Sequence, residues 1–167
     1  YVDMERFGNI CGFEVGLWGH FLACSNEFLN EDGLIGAVIP INFLRGRESK
    51  KIREFAFSKW TPLYIIKSTL NYGFSEWSEY RDILFIAKKR KPSDDHKVKF
   101  VLIKKDLKGL TKSDISHIAN QIELNDTLRT KELDIETFSI AELKERFTNL
   151  MWYIGANDFK NRDIIVS

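Results

Sequence analysis

The residues with the most pointed chemistry in this chain are aromatic. Tyr72, Phe74, Trp77 and Tyr80 place four rings within nine residues, with Gly73 among them. The segment joins two β-branched runs and so reads as a loop. Loops seldom carry exposed rings, because uncovered apolar area costs roughly 25 cal/mol per Å². Two readings follow: the rings pack down as core, or they form a platform on which a nucleic-acid base stacks. An enzyme that works on a base extrudes it from the duplex and holds it, often between aromatic faces. Stacking of that kind is worth on the order of 1–3 kcal/mol per base.

Other groups carry weaker signals. Pro40-Ile41-Asn42 closes an apolar run. In open α/β sheets ligands bind beyond the carboxyl ends of such strands, although a plain strand terminus has the same appearance. Arg47, Lys50, Lys51, Arg53 and Lys59 line one face of a helical segment, diluted by Glu48 and Glu54, and Lys88-Lys89-Arg90-Lys91 forms a second basic cluster. Either could meet phosphates, and solvated faces share this composition. His20, His96 and His117 are isolated, with His20 expected on a helix flank, and none has metal-ligand spacing. Cys11 and Cys24 stand too far apart for a CxxC motif, which argues against structural zinc and for a reduced compartment. No Ser-His-Asp or Cys-His arrangement is legible, and no Gly-rich loop that would cradle phosphate.

The elements that must position these groups can be read from periodicity. Residues 1–14 mix Gly, Asn and Asp with isolated apolar groups and read as a loop. From Val15 the pattern is helical, with Leu17, Trp18, Phe21, Leu22, Phe28 and Leu29 on one side, Trp18 and Phe21 buried, and a stop at Asn30–Gly33. Leu34 to Ile39 suits a parallel strand covered on both faces, with Gly36 admitting a close approach and Pro40 ending the ladder. Arg45 to Lys59 reads as one helix burying Ile52, Phe55, Ala56 and Trp60, broken by Thr61-Pro62. Tyr64 to Leu70 and Asp82 to Ala87 read as antiparallel neighbours joined by the aromatic loop. Further on come a strand at Val98–Ile103 and a helix from Thr111 bearing Ile115, Ile118, Ala119 and Ile122. A capping box of Ser139 with Glu142 then opens a helix carrying Ile140, Leu143, Phe147, Leu150 and Met151. The change of character near Pro92 to His96 divides the chain into residues 1–92 and an extension, 93–167.

Composition bounds the class. The chain of 167 residues can bury one core, or a core plus an appendage. Its 44% apolar content, with thirteen Phe and four Trp, excludes disorder. A net charge of +1 gives no global argument for nucleic acid. No apolar run is long enough to span a bilayer, and no signal peptide is visible, so a membrane partner is not expected. The first residue is Tyr, which suggests a processed, trimmed or partial chain.

Taken in order, several residues carry a resemblance: Phe21 and Leu29, Gly33, Ile39-Pro40, Phe43-Leu44, Arg53 with Phe55, Ile65-Ile66, Phe74, and Ile83-Leu84-Phe85-Ile86 ending in Lys88. This order and spacing, over about residues 15 to 91, resembles the distal half of the catalytic domain of N6-adenine DNA methyltransferases. The kinds meant are the modification subunits of type I restriction–modification systems and the fused type IIG enzymes. The stretch ending in Asn149-Leu150-Met151-Trp152 resembles, more weakly, the segment that leads toward a target-recognition region. The resemblance implies an α/β fold. It would be the distal half of a Rossmann-like class I methyltransferase sheet, with an antiparallel last strand and an α-rich C-terminal extension.

It also implies methyl transfer from S-adenosylmethionine to a flipped adenine in double-stranded DNA. The partner would be a specificity subunit or a fused target-recognition domain, and the setting cytoplasmic. The family's catalytic motif is Asn or Asp, Pro, Pro and an aromatic residue, and its donor sits on an earlier Gly-containing loop. Neither occurs here. The gap before the Trp18 helix fits the family's spacing after that motif, which would make Tyr1 its aromatic residue and leave this chain inactive alone, with an open sheet edge prone to self-association. Phe74 matches the ring that packs against the target adenine, with Trp77 as the fallback. Asp82 departs from the family's small Thr, Ser or Cys at the strand start. From a different class comes a non-catalytic module holding nucleic acid or a partner protein through the Phe74–Trp77 loop and the Lys88–Lys91 patch.

Overall fold

The computed structural model describes residues 3–69, 74 and 81–154. Its framework is one six-stranded sheet: β1 (Leu34–Pro40), β2 (Thr61–Ser68), β3 (Asp82–Lys88), β4 (Lys97–Ile103), β5 (Leu128–Arg129) and β6 (Leu133–Ser139). The order across the sheet is β1-β3-β2-β4-β6-β5. β3 is antiparallel to both β1 and β2, so it lies between two strands that run the same way. β2 and β4 are parallel, and the remaining pairs are antiparallel. The antiparallel neighbours expected around the aromatic loop are therefore present. Position 92 does not interrupt the sheet, which continues through β4 and β6.

Alternation sorts the strand residues onto two faces. Ile39, Ile65, Ile83, Phe85 and Phe100 enter a large core beneath α1 (Met4–Cys11), α2 (Leu17–Phe28), α4 (Lys50–Lys59) and α6 (Ile140–Glu145). Ile66, Val101, Ile103 and Ile135 form a second cluster that takes Ile122 from α5 (Lys112–Leu124). Trp60 is fully buried in the first layer, and its indole N–H donates to Asn26 Oδ1 at 2.8 Å. Lys99 closes the end of α5 by donating from Nζ to the carbonyls of Ile122, Glu123 and Asn125.

Several sequence expectations need correction. Residues 4–11 form a helix, not a loop. Asp3 caps it by accepting the Arg6 N–H at 2.9 Å, and Phe7 and Cys11, one turn apart, are buried. Helix α2 turns the other way from the expectation. Its small-residue stripe faces inward: Gly19 lies so close to Val15 that a Cβ would stand 2.3 Å from its Cγ1. Phe21 is consequently 55% exposed, Trp18 is half-buried, and His20 sits in the buried face instead of on a flank.

β1 is an edge strand with one covered face; Leu34 and Val38 on the other face are 64% and 46% exposed. A Cβ at Gly36 would meet nothing within 4 Å, so no close neighbour explains that glycine. The single helix expected over Arg45–Lys59 is two, α3 (Asn42–Arg45) and α4, separated at Gly46.

Arg53 is buried, not on the exposed face. Its guanidinium donates to the carbonyls of Phe43 (2.6 Å), Gly46 (3.4 Å) and Phe147 (3.0 Å) and lies over the Phe147 ring. Both later helices begin as expected, α5 under a Thr111–Asp114 capping box and α6 under Ser139–Glu142. The extension also contributes β6, which the sequence reading did not anticipate.

Candidate functional site

Because β1 and β2 run the same way and β3 against them, three termini meet at one end of the sheet. They are the carboxyl ends of β1 (Pro40) and β2 (Ser68) and the start of β3 (Asp82). Pro40 stands opposite Asp82, and the Ile41 N–H donates to the Arg81 carbonyl at 3.0 Å, closing the ladder. Pro40 has no N–H to offer a further strand pair. Asn42 begins α3 with its side chain in solvent. The turn that follows is held from behind by Arg53, which ties the carbonyls on either side of Arg45 to α4.

Phe74 belongs to this end. Its N–H donates to Asp82 Oδ1 at 2.7 Å, and its half-buried ring packs against the cluster containing Ile66 and Val101. Asp82 itself is buried, so its carboxylate acts as a fixed acceptor at the strand start. The carboxylate anchors the chain at Phe74. Lys67 lies on the inner side of the same end, with Nζ donating to the Ser68 carbonyl at 2.8 Å. Burial, and then the neighbouring Arg81 charge, draw its pKa below the usual lysine value. Tyr1 and Trp77, the other two site residues expected from the sequence, lie outside the described residues, as do Tyr72 and Tyr80.

The basic cluster Lys88–Lys91 lies elsewhere. Lys88 pairs with Leu34 at the opposite end of β3. That strand has seven residues, so its ends are about 20 Å apart. Three of these cations are also engaged. Arg90 bonds Asp32 at 2.7 and 2.8 Å, Lys88 approaches Asp32 at 3.4 Å, and Lys89 approaches Glu31 at 3.3 Å. Arg90's hydrogen bond lowers the Asp32 pKa first of all, as a satisfied ion pair should. The loop and this patch therefore do not make one surface. The residues that sequence reasoning missed at the site are Arg45, Lys67, Arg81 and the anchoring role of Asp82. The available signal was a charged residue at each strand or helix terminus, bordering an apolar run.

Other features lie away from this end. An open cleft of about 660 Å³ between α4, α6 and residues 91–94 is lined by Phe57, Ile140, Phe147, Lys91 and Lys144. His96 donates from Nε2 to the Pro62 carbonyl at 2.8 Å. Both ring nitrogens of His20 and the Ser49 hydroxyl are buried without a hydrogen-bond partner. Both cysteines are free, and burial raises the Cys11 pKa. Among the described residues no cluster of His, Cys, Asp and Glu could hold a metal ion, and no helix is long and apolar enough to cross a membrane.

No family model matches the sequence, and no curated protein matches it either. Solved structures do. The type IIG restriction endonuclease BpuSI superposes with a TM-score of 0.58 at 20% identity, over 81% of this chain and 15% of that one. The methyltransferase subunit of a type I restriction–modification system from Streptococcus thermophilus gives 0.59 at 21% identity, over 78% and 28%. A protein of another type I system gives 0.59 at 12% identity, over 80% and 31%. The chain thus spans less than a third of the length of each of these proteins. The six-stranded mixed sheet, with β3 set antiparallel between β1 and β2, is a fold this chain shares with a segment of type I and type IIG restriction–modification proteins.

Proposed function

We propose that this chain forms the distal part of the catalytic domain of an adenine-N6 DNA methyltransferase. In that reading the end of the sheet carrying Pro40, Asn42 and Phe74 faces the extruded adenine, and residues 93–167 lead toward a target-recognition region or specificity subunit. The observation that carries it is the pairing of two features on one sheet. At the carboxyl end the backbone N–H of Phe74 is held by a buried carboxylate. Along the side an apolar seven-residue edge strand stands open, as if for a further strand. The amino group of adenine needs an acceptor and alignment more than a strong base, so positioning by fixed groups is the appropriate kind of catalysis. Phe74 would supply one wall for the base.

S-adenosylmethionine would be the methyl donor, and the described residues do not fit it. The cleft of about 660 Å³ is at the far end of the sheet and carries Lys91 and Lys144 at its rim, with no glycine turn beneath it. In this reading the donor site lies mostly outside the described residues, and no chemical step of this chain runs through it. Tyr1 would complete the acceptor motif, and Trp77 would be the fallback for the stacking role of Phe74.

Binding to duplexes of one length tests this reading. An adenine opposite an abasic site is already partly unstacked, so the chain should bind that duplex about tenfold more tightly than the fully paired one. Phe74→Ala should remove the preference while leaving affinity for the paired duplex within about twofold. Equal affinity for both duplexes in the unmodified chain would sink the proposal.

A further inference from the structure

We infer that the open cleft between α4, α6 and residues 91–94 is a docking site for a partner polypeptide that inserts an aromatic side chain flanked by acidic residues. The inference stands apart from the methyltransferase reading, because the cleft lies at the opposite end of the sheet from Phe74.

The floor of the cleft is built before any ligand arrives. Phe57 and Phe147 meet edge-on, with ring centroids 5.2 Å apart at 82°, and Ile140 and Pro92 complete the apolar lining. Arg53 holds Phe147 in place: its Nε donates to the Phe147 carbonyl at 3.0 Å, and its charge lies 5.6 Å from the ring centroid. The walls are tied down as well. The Ala141 N–H donates to the Asp94 carbonyl and the Ile140 N–H to the His96 carbonyl, both at 2.9 Å. His96 in turn donates from Nε2 to the Pro62 carbonyl of β2. A volume of about 660 Å³ takes one large side chain with its neighbours along a peptide, and a preformed pocket loses little conformational entropy on binding. An inserted ring gains further edge-to-face contacts with the pair already present.

The rim sets the charge of the partner. Its two carboxylates are both engaged, Asp94 with Lys144 at 2.5 Å and Glu54 with Lys50 one turn away at 3.7 Å. Lys91 is exposed and forms no ion pair or hydrogen bond among the described residues. It is the uncompensated charge of the rim, and a carboxylate beside the inserted ring compensates it. The cations just before it differ, since Lys88, Lys89 and Arg90 are held by Glu31 and Asp32. The side chains of Lys144 and Asp94 are 60% and 70% exposed, so water screens their attraction and a second carboxylate can share the lysine. A partner with basic flanks instead meets Lys91 and Lys144 with like charge. An aromatic anchor in a preformed apolar pocket, ringed by polar groups, is the arrangement that concentrates binding energy at protein interfaces.

The test uses the whole chain, isotope-labelled for NMR, and the capped tripeptide acetyl-Asp-Phe-Asp amide. The amide signals of Phe57, Lys91, Ile140 and Phe147 should shift together and saturate with a Kd of about 1 mM, as suits a contact much smaller than a stable interface. Acetyl-Lys-Phe-Lys amide and acetyl-Asp-Ala-Asp amide should each bind about fivefold more weakly or worse. Lys91→Gln should weaken the acidic peptide about threefold. Ser58→Trp, at an exposed position on the lining, should block it. Asp94→Asn should tighten it about threefold, because it frees Lys144. These side chains are exposed, so the variants keep the fold, and unchanged signals from β4 and β6 check that they do. The inference is overturned if the acidic peptide shifts nothing at about ten times the expected Kd, or if the shifts map elsewhere. It is equally overturned if the basic peptide binds as well, or if Asp94→Asn leaves binding unchanged or weaker.

Discussion

Asp82 and Arg53 show how single charged side chains hold this end of the sheet together, and each implies a measurable outcome. The buried carboxylate of Asp82 accepts a backbone N–H from a residue eight positions away. A hydrogen bond to a charged acceptor is worth about 1.5–3 kcal/mol. Asp82→Ala should therefore speed amide exchange at Phe74 at least tenfold while β4 and β6 keep their protection, as residue-resolved hydrogen exchange would report. Arg53 serves three carbonyls, those of Phe43, Gly46 and Phe147, of which Gly46 also accepts the Ser49 N–H at 3.3 Å. Arg53→Met should cost about 3 kcal/mol in urea unfolding, because the Phe43 and Phe147 carbonyls lose the Arg53 donor. Arg53→Lys should recover little, since an ammonium cannot span the same fork. Neither role was legible in the sequence. A basic residue on a helix is normally solvated, and the carbonyls that draw Arg53 inward come from turns that only the tertiary fold assembles.

Elements were legible where their ends carry a signature. Ser139 with Glu142 announced α6, and Thr111 announced α5. The capping carboxylates also make a prediction about acid stability. Lys105, and then Thr111, hold the Asp114 pKa far below its ordinary value of 3.8, and the Ser139 N–H lowers that of Glu142 from 4.5. A carboxyl whose folded pKa is depressed contributes stability that is complete above its unfolded value and is lost as pH falls toward the folded one. Melting should hence show no loss from these groups between about pH 7 and 5, then a decline from about pH 4.5 downward. The double variant Asp114→Asn, Glu142→Gln should be less stable at neutral pH and show a shallower acid decline in circular dichroism. Helix α1 was missed because Gly8, Asn9 and Gly12 dilute the Phe7–Cys11 spacing. The orientation of α2 was misjudged because two apolar stripes compete, and the tight approach of Gly19 to Val15 selects the smaller one. In β6, Leu133, Ile135 and Thr137 alternate, but Asp134 and Glu136 between them weaken the apolar signal of a strand.

At the scale of the whole molecule, the two edges of the sheet differ in kind. One ends in β5, only two residues long, and is protected by its brevity. The other, among the described residues, ends in β1, whose Leu-Ile-Gly-Ala-Val-Ile run has no charge and no bulge and leaves Leu34 and Val38 exposed. Such an edge pairs with whatever strand is offered. At concentrations of tens of micromolar the chain should self-associate in sedimentation velocity, and Val38→Lys should return it toward monomer with little change in melting temperature. The continuous apolar run identified the strand, whereas its place at an edge depended on which strands stand beside it. Phe74 could be named as a candidate from its loop, whereas the carboxylate that holds its N–H required the sheet.

The central claim is that this end of the sheet holds an unstacked purine against Phe74. The most direct measurement places 2-aminopurine opposite an abasic site in a duplex and follows its emission as the chain is added. Emission should rise as the base leaves the stack, saturate with the binding curve, and fail to rise with Phe74→Ala. An unchanged signal at saturating chain, or the same rise with Phe74→Ala, would contradict the account.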